Sequence, residues 1–364
     1  MNPASGILGN VVIRAISCAV PTNLVGNESF VGRFGEGVEK FAKMTGVTRR
    51  CVTNPEQTAS DLSYVAAKRL FDEGKAAPQE IDALIFVSQT PDYILPATAC
   101  VLHQRLGLKK ECLAFDINLG CSGFVYGLFV AGSLCRREGI RNVLLCGGDT
   151  ISKVVSPADK SAAMLFGDGG FATLLSYSET DDNPLHYLFG TDGSGAKSII
   201  IPSGAQRNKQ GSREISEFGE GVLRSDYDLY MDGTEVFNFT ISEVPSAIKR
   251  LMGQAGRSPE NTDMLVLHQA NLFILKQIAK MTKFPMEKVP VTIDRFGNTS
   301  ITSIPLTLCD ALAANPDQVP RRVVLAGYGV GLSWGVISLD VAPYCCLPVA
   351  YSSECYTEGA LSHG

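Results

Sequence analysis

A duplicated α/β fold is the class that this 364-residue sequence predicts, on three observations. Apolar runs of strand length alternate with helix-length segments, the pattern of sheets covered by helices. The second half echoes the first: Asp263-Met-Leu-Val-Leu-His268-Gln repeats Asp82-Ala-Leu-Ile-Phe-Val-Ser-Gln89, Val291-Thr-Ile-Asp294 repeats Phe115-Asp116, and Arg321-Arg-Val-Val-Leu325 repeats Arg141-Asn-Val-Leu-Leu145. The offsets are 181, 178 and 180 residues, and a single shared offset favours duplication over chance repetition of a common pattern. Finally, three chemistry-bearing residues, Cys121, His268 and Asn298, each follow one of these strands. Two units packed face to face would bring them to one centre.

In chain order, residues 11–19 read as a strand, followed by a helical stretch before Thr45-Gly46. Residues 60–73 read as a helix with Ser60 as N-cap and Leu62, Val65, Ala66 and Leu70 on one face. A buried strand at 82–88 leads through a proline-containing loop to a helix from about Ala97. Cys112-Leu-Ala-Phe-Asp-Ile117 reads as a buried strand, and residues 124–135 as a buried helix. Strands at 141–146 and 171–175 complete the first unit, residues 1–180. Residues 181–232, rich in Gly, Ser, Asp and charge, read as an irregular connection. The second unit is then 233–341, with a helix from about Glu235, and 342–364 is a tail expected to be partly disordered.

A hydrophobic content of 45% lets such a chain bury a substantial core. With 32 basic and 37 acidic residues the net charge is −5, which gives no global attraction to nucleic acid or to an anionic membrane. No signal peptide or run of about 18 apolar residues is present, so a cytoplasmic location is expected. The eleven cysteines are scattered, and Cys18, Cys100, Cys135, Cys146 and Cys309 sit in apolar segments, which reads as reduced core thiols. No Cys-x-x-Cys pair occurs and the four histidines lie far apart, so no zinc site is expected.

In Asn118-Leu-Gly-Cys121-Ser-Gly-Phe124 a glycine-flanked cysteine sits at a strand-to-helix turn. Unpaired N–H groups and the helix dipole there would stabilise a thiolate, which makes Cys121 a candidate nucleophile. His268 precedes the helical residues 272–281, a position that favours neutral imidazole; the bland alternative is a hydrogen-bonded core histidine. Asn298, in Arg295-Phe-Gly-Asn-Thr-Ser300, is either a polar donor or an Asx-turn former. The glycine-rich Ala326-Gly-Tyr-Gly-Val-Gly-Leu-Ser-Trp-Gly335 superficially matches a dinucleotide fingerprint, but Leu332 stands where the third glycine belongs and another strand follows. Backbone N–H donation to an oxyanion suits it better than a purely structural turn.

Gly-Cys121-Ser-Gly-Phe, His268-Gln-Ala-Asn271, Gly297-Asn298-Thr-Ser and Gly-Tyr-Gly-Val-Gly-Leu-Ser-Trp-Gly335, in that order, resemble the β-ketoacyl-acyl carrier protein synthase III family of the thiolase superfamily. Supporting matches are Thr45-Gly46 with Arg50, Phe166-Gly-Asp-Gly169 and Asp232-Gly-Thr-Glu-Val-Phe237, and the resemblance covers about residues 10–341. It implies a five-layer αβαβα thiolase fold, a homodimer, and decarboxylative Claisen condensation of an acyl thioester with malonyl-acyl carrier protein, without metal or redox cofactor. Carried over, Cys121 accepts the acyl group, His268 and Asn298 stabilise the enolate, and the N–H groups of Cys121 and Val330 hold the oxyanion. Phe237, Ala270, Asn271 and Gly329 would contact substrate.

Four positions depart from the family pattern. Lys40 and Met44 stand where the best-known members carry the Trp and Arg that clamp adenine, Lys160 replaces an Arg, and Phe273 stands where an Arg docks carrier protein. The acyl donor, coenzyme A or carrier protein, is left open, as is primary fatty acid synthesis versus specialised lipid or polyketide synthesis. Lys276, Lys280 and Lys283 share a helical face that is either a docking patch or merely solvated. Competing readings are acyl transfer from Cys121 to oxygen or nitrogen, a non-catalytic binding partner of the same fold, and a papain-like hydrolase. The last is disfavoured by context: Asn298 follows His268 by 30 residues on a separate strand unit, and the α/β duplication is wrong for that fold.

Overall fold

The computed structural model describes residues 4–180, 183–313, 319 and 321–357. Two sheets carry the architecture. The first has strand order Ala350–Ser352, Val11–Pro21, Gly169–Tyr177, Asn142–Asp149, Ala83–Val87, Leu113–Ile117. The second runs Ser5–Leu8, Leu185–Thr191, Ser333–Val341, Arg321–Gly329, Met264–Leu267. Ala83–Val87 and Met264–Leu267 occupy equivalent places, each pairing in parallel with the strand that the shared offset assigns to it.

Helices Gly123–Cys135 and Ser303–Leu312 lie between the sheets, each packing on strands of both. Ala59–Asp72 and Thr98–Arg105 cover the outer face of the first sheet, and Gly233–Gln254 and Leu272–Thr282 that of the second. The layers are therefore αβαβα, and apolar cores fill the spaces on both sides of each sheet. Helix Gly123–Cys135 can occupy the middle layer because it is apolar on nearly every side. Phe124 anchors its start edge-on to Phe171, with ring centroids 5.1 Å apart, an arrangement worth about 0.5–1.5 kcal/mol beyond burial.

Several expectations are corrected. Val291-Thr292 is not a strand, and Ile293–Phe296 is a short helix, so the echo of Phe115-Asp116 fails as a strand although it still delivers Asn298. The span 181–232 is not irregular throughout: Leu185–Thr191 is an interior strand of the second sheet, bonded on both edges. Leu113–Ile117 is an exposed sheet edge rather than a buried strand, with Leu113 49% exposed. The N-cap of the helix expected at 60–73 is Thr58, in a capping box with Asp61. Cys100 is exposed on helix Thr98–Arg105, whereas Cys18, Cys135, Cys146 and Cys309 are buried free thiols.

Residues 342–357 of the tail dock against the first half. Ala350–Ser352 pairs in parallel with Val11–Pro21, Cys345 and Cys346 are buried, and Gln57 Nε2 donates to the carbonyls of Ser352 (3.1 Å) and Glu354 (2.8 Å). Docking on an otherwise open sheet edge supplies the hydrogen bonds that an isolated tail would lack. Residues 358–364 lie outside the described residues.

Candidate active site

Cys121, His268 and Asn298 line one cavity of about 410 Å³. Cys121 stands two residues before helix Gly123–Cys135, at the end of the turn that leaves strand Leu113–Ile117. The hairpin between Arg321–Gly329 and Ser333–Val341 brings the glycine-rich loop onto its sulfur. A Cβ at Gly329, whose φ is +153°, would lie 3.0 Å from Cys121 Sγ and 2.8 Å from its Cβ, so only glycine fits. The close approach turns the Val330 N–H towards the sulfur, beside the N–H of Cys121 itself.

Those N–H groups do not leave a free thiolate. Burial pushes the Cys121 thiol up to about 11, with the nearby Asp149 charge acting in the same sense. The thiolate expected from the helix dipole does not form, because in this apolar cavity desolvation outweighs the helix N-terminus. His268 is neutral as expected, but burial rather than the dipole is the cause, and it lowers the imidazole to about 3 against a smaller opposing effect of the Ser300 backbone. The ring is fixed by Ser303 Oγ, 2.8 Å from Nδ1, and by Tyr328, whose OH donates to the His268 carbonyl at 3.0 Å.

Asn298 is set by exchange with the Phe166-Gly-Asp-Gly169 segment. Its N–H donates to the Leu165 carbonyl (2.9 Å), and the Gly167 N–H donates to its carbonyl (3.1 Å). Arg50 holds that segment by donating to the carbonyls of Ala163 (2.6 Å) and Phe166 (3.2 Å). Asn298 Oδ1 accepts from the Ser300 N–H at 2.9 Å, which leaves Nδ2 as the end of the amide without that bond. Asn298 is therefore an Asx-turn former as well as a cavity wall.

Ala270 and Gly329 also line this cavity, and Asn271 lines both it and a second, outer cavity of about 690 Å³. Asn271 caps helix Leu272–Thr282, its Oδ1 accepting from the Ile274 N–H at 2.8 Å. Gly46, at φ +79°, packs where a Cβ would meet that of Leu272 at 2.7 Å, which accounts for Thr45-Gly46. Phe237 lies in the outer cavity, stacked on Phe273 with centroids 5.6 Å apart. Lys40, Met44, Lys160 and Phe273, the four departures, all line this outer cavity.

Sequence reading missed Ser300, Asp149 and Ser303. Ser300 Oγ lies 3.9 Å from Cys121 Sγ, and Ser300 holds φ +49°, a left-handed conformation that costs a serine about 1–2 kcal/mol. The available signals were weak: Gly-Gly-Asp149-Thr ends a strand, and Ser300 and Ser303 follow Asn298 among other hydroxyl residues, Thr299 and Thr302, that nothing in the sequence sets apart from them. Among the described residues no cluster of His, Cys, Asp and Glu is arranged to hold a metal ion, and no helix is long and apolar enough to cross a membrane.

The family described as 3-oxoacyl-[acyl-carrier-protein] synthase III matches residues 115–193, and its C-terminal part matches residues 252–341. The chain is 32% identical over 331 residues to a β-ketoacyl-[acyl-carrier-protein] synthase III of Caldanaerobacter subterraneus, covering 91% of this chain and 96% of that one. To the protein so named in Xanthomonas campestris it is 34% identical over 316 residues, 87% and 94% of the two chains. The crystal structure of a 3-oxoacyl-(acyl-carrier protein) synthase from Burkholderia xenovorans superposes with a TM-score of 0.88 at 38% identity, covering 96% and 99%. A synthase III structure from Thermus thermophilus gives 0.79 at 32%, covering 90% and 98%. With the nucleophile turn, the histidine, the asparagine and the glycine-rich loop gathered on one cavity of a thiolase fold, the chain belongs to the β-ketoacyl-acyl carrier protein synthase III family.

Proposed function

We propose that the chain catalyses a decarboxylative Claisen condensation, joining an acyl group carried on Cys121 to malonyl-acyl carrier protein. The observation that carries this reading is the single cavity in which a cysteine sulfur, two backbone N–H groups, a neutral histidine and an asparagine amide meet. In the first half-reaction Cys121 Sγ attacks the donor thioester carbonyl, and the donor thiol leaves with the cysteine proton. The Cys121 and Val330 N–H groups receive the developing oxyanion. In the second, malonyl thioester loses carbon dioxide, and its enolate oxygen accepts hydrogen bonds from His268 Nε2–H and Asn298 Nδ2–H. This role requires the tautomer protonated at Nε2, in which Nδ1 accepts from the Ser303 hydroxyl 2.8 Å away. The enolate carbon attacks the acyl-cysteine carbonyl, and collapse expels the Cys121 thiolate.

A neutral donor pair suits an enolate, whereas a hydrolase needs a base poised for water; an imidazole lowered to about 3 is a poor base at neutral pH. The apolar wall formed by Ile151, Val154, Leu165, Ile199 and Leu229 suits an acyl chain, and Phe237, Ala270, Asn271 and Gly329 would contact the thioester arm. The outer cavity lacks the adenine clamp, which favours a carrier-bound donor. Phe273, Lys276, Lys280 and Lys283 are exposed along helix Leu272–Thr282 and its C-cap, a face suited to docking carrier protein. We further read residues 1–180 and 233–341 as the duplicated halves, and the location as cytoplasmic. A homodimer is supported by the open edge of Leu113–Ile117 and by Ile94 and Leu95, 84% and 80% exposed.

Incubation with acyl donors followed by mass spectrometry should place one acyl mass on the Cys121 peptide, discharged by malonyl-acyl carrier protein with release of carbon dioxide. No label from any acyl-coenzyme A or acyl-carrier donor would sink the assignment.

A further inference from the structure

The reaction above leaves one step without a partner: the Cys121 thiol must lose its proton in a cavity where nothing strongly basic faces it. Two groups beside it take no part in the condensation. Asp149 is fully buried at the end of strand Asn142–Asp149. Its Oδ1 accepts from the Gln89 N–H (2.8 Å), Ser88 Oγ (3.0 Å) and Thr90 Oγ1 (3.3 Å). Its Oδ2 is buried and accepts no hydrogen bond of regular geometry among the described residues, and Ser300 is the side chain that interacts with the carboxyl from the second half. Ser300 Oγ in turn lies 3.9 Å from Cys121 Sγ. The serine is held there by its left-handed backbone and by the bond from its N–H to Asn298 Oδ1.

We propose that Ser300 and Asp149 form a proton relay for Cys121, Ser300 passing the thiol proton to the buried carboxylate and later returning it. The relay rests on the acyl-cysteine reading. Its electrostatics are those of two acids sharing one proton. Burial raises the affinity of the Asp149 carboxylate for a proton, and an ionised Asp149 opposes ionisation of Cys121. Moving the proton to Asp149 removes a buried charge there and ends the repulsion, while the sulfur anion keeps the Val330 and Cys121 N–H groups.

The step balances. The S–H bond of Cys121 breaks as its proton joins Ser300 Oγ, and the Ser300 hydroxyl proton passes to Asp149. The sulfur electron pair forms the bond to the donor's acyl carbon. When the tetrahedral adduct collapses, the donor's C–S bond breaks, its sulfur takes a proton from Ser300, and Asp149 restores the serine. Thiol plus thioester become thioester plus thiol, with no other reactant.

The experiment compares wild type, Ser300→Ala, Asp149→Asn and the double variant by the rate of Cys121 alkylation with iodoacetamide from pH 6 to 10 and by acyl uptake. The relay predicts that both single variants slow alkylation and acyl uptake near neutral pH by about 10²-fold. The double variant should be no slower than the slower single one, and the deficits should shrink as hydroxide replaces the relay at high pH. A carboxylate acting only through its charge predicts the reverse, because Asp149→Asn removes a repulsive charge. Asp149→Asn alkylating as fast as wild type or faster, or Ser300→Ala unchanged, overturns the relay. If melting curves show that Asp149→Asn does not fold, Ser300→Ala decides alone. Wild type that takes up no acyl group yet alkylates with the predicted dependence on Ser300 would overturn the acyl-cysteine reading and leave the relay standing.

Discussion

The two adjoining cavities differ in what they retain. Around Cys121 every motif residue is present and buried polar groups are fixed by hydrogen bonds, so positions are set to a fraction of an ångström by packing. Around Phe273 the four family departures collect, on surfaces that face solvent and that no comparable network constrains. Reaction chemistry tolerates few side chains, because reacting atoms must meet at bonding distance. Recognition of a large carrier spreads over a surface and can be rebuilt from other residues. Condensation can therefore stay fixed while the donor changes.

If that contrast holds, single changes in the inner cavity remove reaction steps, and changes in the outer one adjust affinity. Cys121→Ala should have the largest effect, eliminating acyl uptake and lowering condensation by about 10⁴-fold or more, read from acyl mass and product formation. Asn298→Ala should come next: decarboxylation slowed about 10²- to 10³-fold, the scale of one lost oxyanion donor, with acyl uptake within about threefold of wild type. Equal loss of both half-reactions would remove the division of labour between Cys121 and the His268–Asn298 pair.

Much of this site was legible because its residues occur in short local motifs. Cys121 announced itself by glycines on both sides, and His268 by ending an apolar strand. What escaped was set by tertiary burial. The dipole reasoning placed Cys121 at the right turn but expected its proton to be held less tightly, where burial holds it more tightly, since desolvation depends on walls contributed by residues such as Ile199 and Leu229, far away in sequence. Leu185–Thr191 was hidden for a related reason: its His186, Tyr187 and Gly190 break the apolar pattern, and it becomes a strand through two neighbours from opposite ends of the chain. The tail lacked any periodic signal and is ordered by bonds that Gln57 and Arg69 supply.

The inner cavity should also carry a stability cost that the outer one does not. His268 has its ordinary value of 6.5 when unfolded and about 3 when folded, so between these limits the unfolded chain binds the extra proton. Stability is then retained above pH 6.5 and falls as pH drops towards 3; at pH 5 the loss is about 2 kcal/mol. In His268→Gln that component is absent. Denaturant titrations at pH 7.5 and pH 5 should show the variant losing about 2 kcal/mol less than wild type between the two, the buried carboxyls being common to both. Identical pH dependence would mean that His268 is solvated.

The smallest expected effect lies at the outer rim. Lys276, Lys280 and Lys283 are exposed, so each contributes only weak, screened attraction to an acidic partner. Reversing two of them, Lys276→Glu with Lys280→Glu, should raise KM for malonyl-acyl carrier protein by about fivefold at low salt and leave kcat unchanged, because rim charges act mainly on encounter. At about 1 M salt, where the screening length falls to about 3 Å, the difference should vanish. A change in kcat instead would mean that this helix face transmits strain to the inner cavity through Asn271 and Ile274, which line both, and the separation between fixed chemistry and adjustable recognition would fail there.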